Sequence, residues 1–304
     1  MSQPLPEIVE LLAAAGGNPL ATPDLSIPEL RALCDAGVLG YHRWVRESGE
    51  LYEVRDLVSP GGVPVRLYLP SENPEGLHIH LHGGGWWMGS IETADPMARE
   101  LARGLRLAVL SVDYPLAPEH PWPAAPEAVY EVLTWMAESY DRISIGGESA
   151  GANLAAVLAL MARDRGGPSL IAQWLDVPAV DLDRYDDPSM SAYGTGYGLE
   201  VAQFPAIVSW YAADLSHPYV SPLRADPAGL PPAIVTIAEF DPLCDQGVAY
   251  AEALEAAGVP TTLLRASGHI HGSSWLTALT EDTAAWHDEA VALLAGHHAL
   301  EPAL

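Results

Sequence analysis

The run RISIGGESAGANLAAVLALMA, residues 142–162, decides how the rest of the chain is read. It opens with a short apolar stretch, Arg142 to Ile145, of strand length. It passes through a G-x-S-x-G turn at Gly147, Ser149 and Gly151, and continues as an Ala- and Leu-rich run, Ala150 to Ala162, that suits a buried helix. A serine on so sharp a strand-to-helix turn sits on a strained backbone, so the positions two residues to either side must lack side chains. Gly147 and Gly151 meet that demand, and the helix that follows aims its positive end at the turn.

The same alternation extends outward in both directions. Upstream, Leu77 to Leu81 and Leu107 to Val112 read as strands, with helices over Glu92 to Arg103 and Pro126 to Glu138. Downstream, Ala233 to Ala238 and Thr261 to Leu264 read as strands, with helices over Gln246 to Ala257 and Glu281 to Leu294. Strands alternating with helices predict an α/β fold with a mostly parallel central sheet flanked by helices. Two earlier runs, Tyr52 to Val58 and Val63 to Leu69, are joined by Ser59-Pro60-Gly61-Gly62 and predict a hairpin that adds antiparallel edge strands. Residues 1–45 are helix-like, with Leu5, Ile8, Leu11 and Leu12 at helical spacing and a Ser26/Glu29 capping box. Residues 180–225, rich in Asp, Pro, Gly and Tyr, break the rhythm and read as an insertion that packs with those first helices as a cap. The expected organisation is thus cap helices over 1–45, a catalytic α/β unit over 46–179 and 226–304, and a cap insertion over 180–225.

Composition narrows the partners. The 304 residues are 49% hydrophobic and 18% charged, with a formal net charge of -26, and every basic residue is Arg. So acidic a surface repels phosphate backbones and anionic lipid heads, which argues against nucleic acid and membrane surfaces as partners, while it says little about a small neutral molecule, the partner expected from the motifs below. Cys34 and Cys244 lie far apart with no metal-type spacing. The first residues, MSQPLPEIVELL, have neither a basic nor an apolar leader character, so a cytoplasmic protein is expected. The oligomeric state stays open, a homodimer being one option.

His82-Gly83-Gly84-Gly85 follows the strand Leu77 to Leu81 directly. Consecutive glycines let backbone N–H groups approach a developing oxyanion, so Gly83 and Gly84, with the N–H of Ala150 after the nucleophile, are the expected donors. Ser149 then needs a base and a carboxylate, which follow it in chain order in this strand–turn–helix setting. Asp241 lies just past the strand Ala233 to Ala238. Asp245 competes, but suits the start of the next helix better. Two histidines, His269 and His271, lie after the last strand, and the residues alone do not choose between them. Trp86, Trp87, Tyr193, Tyr197 and Trp210 are candidate pocket aromatics, each equally able to be core.

Taken together, the motifs resemble the hormone-sensitive-lipase-like carboxylesterase branch of the α/β-hydrolases. The match runs from about Tyr52 to Leu276. It rests on HGGGWW at 82–87, DYPLAPEHPWPAA at 113–125, GESAG at 147–151, SPL at 221–223, GLPPA at 229–233, EFDPLCD at 239–245 and HG at 271–272. The resemblance implies an α/β-hydrolase fold with a helical cap and hydrolysis of short- or medium-chain esters through an acyl-serine. It also implies no cofactor, and it selects His271 as base to Ser149 and Asp241. Three positions depart from the family pattern: Pro115 stands where the family has Arg, Ser273 where it has Phe, and His269 where it is apolar. The Pro115 change implies a lost salt bridge, and the Ser273 change an altered pocket.

Other readings differ at identifiable points. His78, His80 and His82 alternate onto one strand face, as a zinc half-site would, though no carboxylate lies at ligand spacing. The plainer account is that they fill a central strand by hydrogen bonding. A lyase or acyltransferase could use the same three groups, and a receptor of this fold would lack the base.

Overall fold

A computed structural model describes residues 3–14 and 25–298. Eight strands form one sheet in the order β1-β2-β4-β3-β5-β6-β7-β8. They are β1 (Glu53–Val58), β2 (Pro64–Leu69), β3 (Leu77–Leu81), β4 (Ala108–Val112), β5 (Ile143–Glu148), β6 (Ala172–Asp176), β7 (Ala233–Phe240) and β8 (Thr261–Ile270). Only β2 runs against its neighbours, so the expected hairpin β1–β2 supplies the antiparallel edge and the rest is parallel. The strand β6 breaks the expected pattern: sequence rhythm gave no strand there, because Gln173 and Asp176 interrupt its apolar residues although all five are buried.

Nine α-helices are described: α1 (Pro6–Ala14), α2 (Ile27–Tyr41), α3 (Ile91–Leu105), α4 (Ala124–Met136), α5 (Ala150–Asp164), α6 (Pro188–Tyr193), α7 (Phe204–Tyr211), α8 (Cys244–Ala256) and α9 (Glu281–His297). Two apolar cores lie on the two faces of the sheet. On one, β3 residues Leu77, Ile79 and Leu81 pack with Val129, Leu133, Leu154, Leu158 and Leu254 of α4, α5 and α8. On the other, Tyr68, Val109 and Trp174 pack with Leu101, Leu105, Val291 and Leu294 of α3 and α9. Thirteen consecutive residues of α5, Ala150 to Ala162, are buried, which explains why that run is apolar all round. Truncating one of its leucines to Ala would cost about 2–5 kcal/mol.

The strand order places the site. From β3 the chain crosses outward to β4, and from β5 it crosses the other way to β6, so the direction of winding reverses between the adjacent strands β3 and β5. In open α/β sheets a crevice forms beyond the carboxyl ends at such a reversal. The HGGG turn leaves β3 there and the Ser149 turn leaves β5 there. Helices α2, α6 and α7 border the crevice, each lending side chains to its wall. The predicted box at α2 is present, with the Ser26 N–H donating to Glu29 Oε2 at 2.8 Å. No helix among the described residues is long and apolar enough to cross a membrane.

Candidate active site

Ser149 sits between β5 and α5 at φ 55° and ψ -112°, a left-handed conformation that a side-chain-bearing residue adopts only at a cost. Its N–H donates to the Asp176 carbonyl at 2.8 Å, so the end of β6 holds the turn in place. The flanking glycines are required by contact. A Cβ on Gly151 would lie 2.0 Å from the Leu81 carbonyl oxygen, and one on Gly147 would lie 2.3 Å from the same atom. The elbow is thereby pressed against the end of β3.

His271 follows β8 and Asp241 follows β7. His271 Nε2 lies 2.9 Å from Ser149 Oγ, and His271 Nδ1 lies 2.8 Å from Asp241 Oδ2. A carboxylate only accepts, so Nδ1 carries the proton and Nε2 is left to accept from the hydroxyl. Asp241 is 1% exposed, and its other oxygen takes the Leu243 N–H at 2.8 Å. The competitors stand elsewhere. Asp245 lies in the first turn of α8 and accepts the Ser189 N–H at 2.8 Å. His269 Nδ1 is 3.0 Å from Ser273 Oγ, and burial lowers its pKa to about 4. The two departures from the family pattern at 269 and 273 therefore partner each other. Ser273 is buried and is not among the residues that line the crevice.

Electrostatics at the imidazole are divided. Burial pulls the His271 pKa down, but Asp241, by charge and hydrogen bond, together with Glu148 and Asp176, holds it above its usual value. Glu148 lines the crevice beside Ser149, and burial with Asp176 nearby pushes its pKa up to about 7. Asp176, missed in the sequence along with its strand, is pushed up to about 6 by burial, against hydrogen bonds from Ser274, at 2.5 Å, and Thr236.

Beyond β3, Gly84 has φ 116°, and a Cβ there would fall 2.3 Å from the Met88 carbonyl oxygen. Among the described residues no internal acceptor takes the Gly83 or Gly84 N–H. Ala150 is the first residue of α5, where helical N–H groups have no partner within the helix.

The crevice encloses a cavity of about 350 Å³. Its walls are largely apolar: Trp86, Trp87, Leu182, Met190, Phe204 and Ile207 contribute, with Val38 and Cys34 from α2. Trp86 and Trp87, which the sequence left equally open to wall or core, line this cavity. Tyr193, Tyr197 and Trp210 do not reach this wall. Tyr197 stacks on Phe240 with ring centroids 5.7 Å apart, Tyr193 meets the same ring edge-on at 5.3 Å, and both pack on Ile8 of α1. Trp210 lies behind Trp87, edge to face at 5.4 Å. Phe204 and Ile207 were missed because the helix α7 has apolar residues on several faces, so spacing did not show which one meets the crevice. The polar wall residues are mostly engaged: Gln246 bonds the backbone of Val180, Asp181 and Arg184, and Asp181 pairs with Arg224.

His78 and His80 turn to the α9 side of the sheet. His78 Nδ1 bonds Ser144 Oγ at 3.0 Å, while His82 Nδ1 lies 2.8 Å from the Gly83 carbonyl and stacks on Tyr114. His80 is packed edge-on against Trp275, with ring centroids 5.2 Å apart. Among the described residues no group of three or more His, Cys, Asp or Glu is arranged to hold a metal ion.

An elbow serine hydrogen-bonded to an imidazole, itself on a buried carboxylate, at the winding reversal of a parallel sheet defines an α/β-type hydrolase. Residues 78–274 match the family model described as alpha/beta hydrolase fold. The chain is 38% identical over 266 residues to the carboxylic ester hydrolase LipN of Mycobacterium tuberculosis, covering 81% of this chain and 70% of that protein. It is 40% identical over 237 residues to an arylesterase of Saccharolobus solfataricus, covering 73% and 76%. The hyperthermophilic esterase of Pyrobaculum calidifontis superposes with a TM-score of 0.87 at 34% identity, over 97% of each chain. The chain belongs to the α/β-hydrolase family, in its hormone-sensitive-lipase-like carboxylesterase branch, and is a carboxylic-ester hydrolase.

Proposed function

We propose that Ser149 is the nucleophile, His271 the general base and acid, and Asp241 the group that fixes the imidazole. The hydrogen-bonded series Ser149–His271–Asp241, at 2.9 and 2.8 Å, carries this reading. Ser149 Oγ bonds to the ester carbonyl carbon as Nε2 takes its proton, and the carbonyl oxygen becomes an oxyanion. Gly83, Gly84 and Ala150 N–H groups receive that charge; each such donor typically contributes about 10²–10³ in rate. The carbon–oxygen bond to the alcohol breaks, and the imidazolium gives its proton to the departing alkoxide. Water then repeats the sequence against the acyl-serine, releasing the acid. Hydroxyl, imidazole, carboxylate and amides supply this chemistry without a cofactor.

The substrate class follows from the wall. A cavity of about 350 Å³, lined mainly by apolar side chains, suits neutral short- to medium-chain esters. We assign the protein to the cytoplasm, in keeping with two unpaired cysteines, Cys34 and Cys244. Pairing of two copies would leave the chemistry unchanged, because all three groups come from one chain.

Ser149→Ala tests the mechanism. It is expected to abolish turnover of p-nitrophenyl acetate and labelling by a fluorophosphonate, with an unchanged circular dichroism spectrum. Retained turnover would refute the covalent route. Labelling of the unaltered chain with no hydrolysis of any simple ester would point instead to transfer or elimination chemistry.

A further inference from the structure

Helix α2 reaches the catalytic turn in two ways at once. Cys34 and Val38 contribute to the cavity wall. Arg31 and Asp35, one helical turn apart, grip the loop that follows β3. Arg31 Nε donates to the Trp87 carbonyl at 2.6 Å, and Nη2 donates to the Ala117 carbonyl at 3.1 Å. The remaining face of the guanidinium closes on Glu119, at 3.2 and 2.7 Å. Asp35 Oδ1 accepts the Gly89 N–H at 3.0 Å.

The gripped segment is short and tightly tied. Trp87 and Met88 N–H groups donate back to the Gly84 carbonyl at 3.2 and 3.1 Å. Gly89 lies so close to the start of the loop that a Cβ on it would fall 2.4 Å from His82 Nδ1 and 2.7 Å from the Gly83 carbonyl oxygen. Residues 82 to 89 therefore form one compact loop whose far end is held by α2. Glu119 is 43% exposed, so its ion pair contributes little by itself. The bonds that carry directional information are those to Trp87, Ala117 and Gly89.

We propose that Arg31 and Asp35 are positioning residues that set the geometry of the oxyanion donors Gly83 and Gly84, and so couple docking of the cap helix to transition-state stabilisation. The proposal rests on the reading of those two glycines as donors. Donors work only within about 2.7–3.1 Å of the oxyanion, and a displacement of about 1 Å can cost on the order of 10² in rate. The guanidinium that reaches the Ala117 carbonyl in the adjoining loop comes from α2.

The test compares two inhibitors in Arg31→Ala, Asp35→Ala and Asp35→Asn. An alkyl trifluoromethyl ketone adds to Ser149 and places an oxyanion in the hole. The matching secondary alcohol fills the cavity without one. Arg31→Ala and Asp35→Ala are expected to lower kcat for p-nitrophenyl butyrate about tenfold or more and to weaken the ketone by the same factor. The alcohol should change by no more than about twofold. Asp35→Asn keeps an oxygen for the Gly89 N–H and should retain most of the activity, even if Arg31→Ala fails to fold. Equal weakening of ketone and alcohol, or an unchanged kcat, overturns the proposal. An unaltered enzyme that shows no preference for the ketone overturns the oxyanion reading itself, and the proposal with it; a preference that survives in the variants overturns the proposal alone.

Discussion

Three carboxylates act on the His271 imidazole. Burial alone would leave it neutral well below its usual range; Asp241, Glu148 and Asp176 reverse that and raise its pKa. A base must be unprotonated, so kcat/KM on a neutral ester should fall as pH drops through this raised value. Glu148 titrates at about 7 beside it, so the acid limb belongs to the pair rather than to either group. Glu148→Gln removes one anion that favours the imidazolium, and the limb should move to lower pH while the plateau stays within several-fold. A limb that does not move would show that Glu148 does not influence the base. Much of this site was readable in advance, because GESAG, HGGG and EFDPLCD place their chemistry by local spacing. What spacing could not do was separate His269, which the structure places inside β8, from His271, just past its end. The environment of Glu148 was also unreadable, since it depends on burial and on Asp176, which lies on a strand the sequence rhythm did not show.

Elements show the same division. Strands with large aliphatic residues at every second position, such as Leu77, Ile79 and Leu81 of β3, were legible to the residue. By contrast, β6 was not, because Gln173 spends its polarity on the Pro231 carbonyl and Asp176 on Ser274 and Thr236, partners remote in sequence. Residues 180–225 contribute α6 and α7, and aromatic content was a poor guide to which of them line the cavity. Tyr193 and Tyr197 fasten the insertion to α1 and Phe240, whereas α7 faces the cavity with Phe204 and Ile207. Ile207 packs beside Gly85, where a Cβ would lie 3.1 Å from its methyl group. Ile207→Trp should therefore fill space needed by longer acyl chains. The ratio of kcat/KM for p-nitrophenyl octanoate to that for the acetate is expected to fall about tenfold or more, an effect of a few kcal/mol at most from a filled apolar pocket. An unchanged ratio would place the acyl chain against another wall.

For the molecule as a whole, charge and buried imidazoles set the conditions it tolerates. A net charge of -26 repels itself, and salt at 0.15 M screens beyond about 8 Å. The melting temperature should rise between 10 mM and 0.5 M sodium chloride; a flat or falling curve would mean that local ion pairs outweigh the net field. Acid acts through histidine. Burial lowers His80 to about 3 and His82, His269, His287 and His298 to about 4, so between roughly 6.5 and 4 the unfolded chain binds more protons than the folded one. Stability from these groups is complete above about pH 6.5 and drains away as pH falls toward 4, partly offset by Glu148 and Asp176, whose raised values act in the opposite sense. Denaturant midpoints should decline across that interval, and a constant midpoint would contradict the burial of these rings.

One of those histidines has a consequence for synthesis. Ser144 Oγ lies between His78 Nδ1 at 3.0 Å and His298 Nε2 at 2.9 Å, and the second partner is 154 residues further along the chain. At roughly 5–20 residues per second, a ribosome needs on the order of ten to thirty seconds to make that stretch. Throughout the wait, the middle of the sheet exists with one polar partner missing and the face that α9 will cover still open. A nascent chain of this protein should therefore depend on chaperone shelter until α9 emerges, and slower translation would lengthen the dependence.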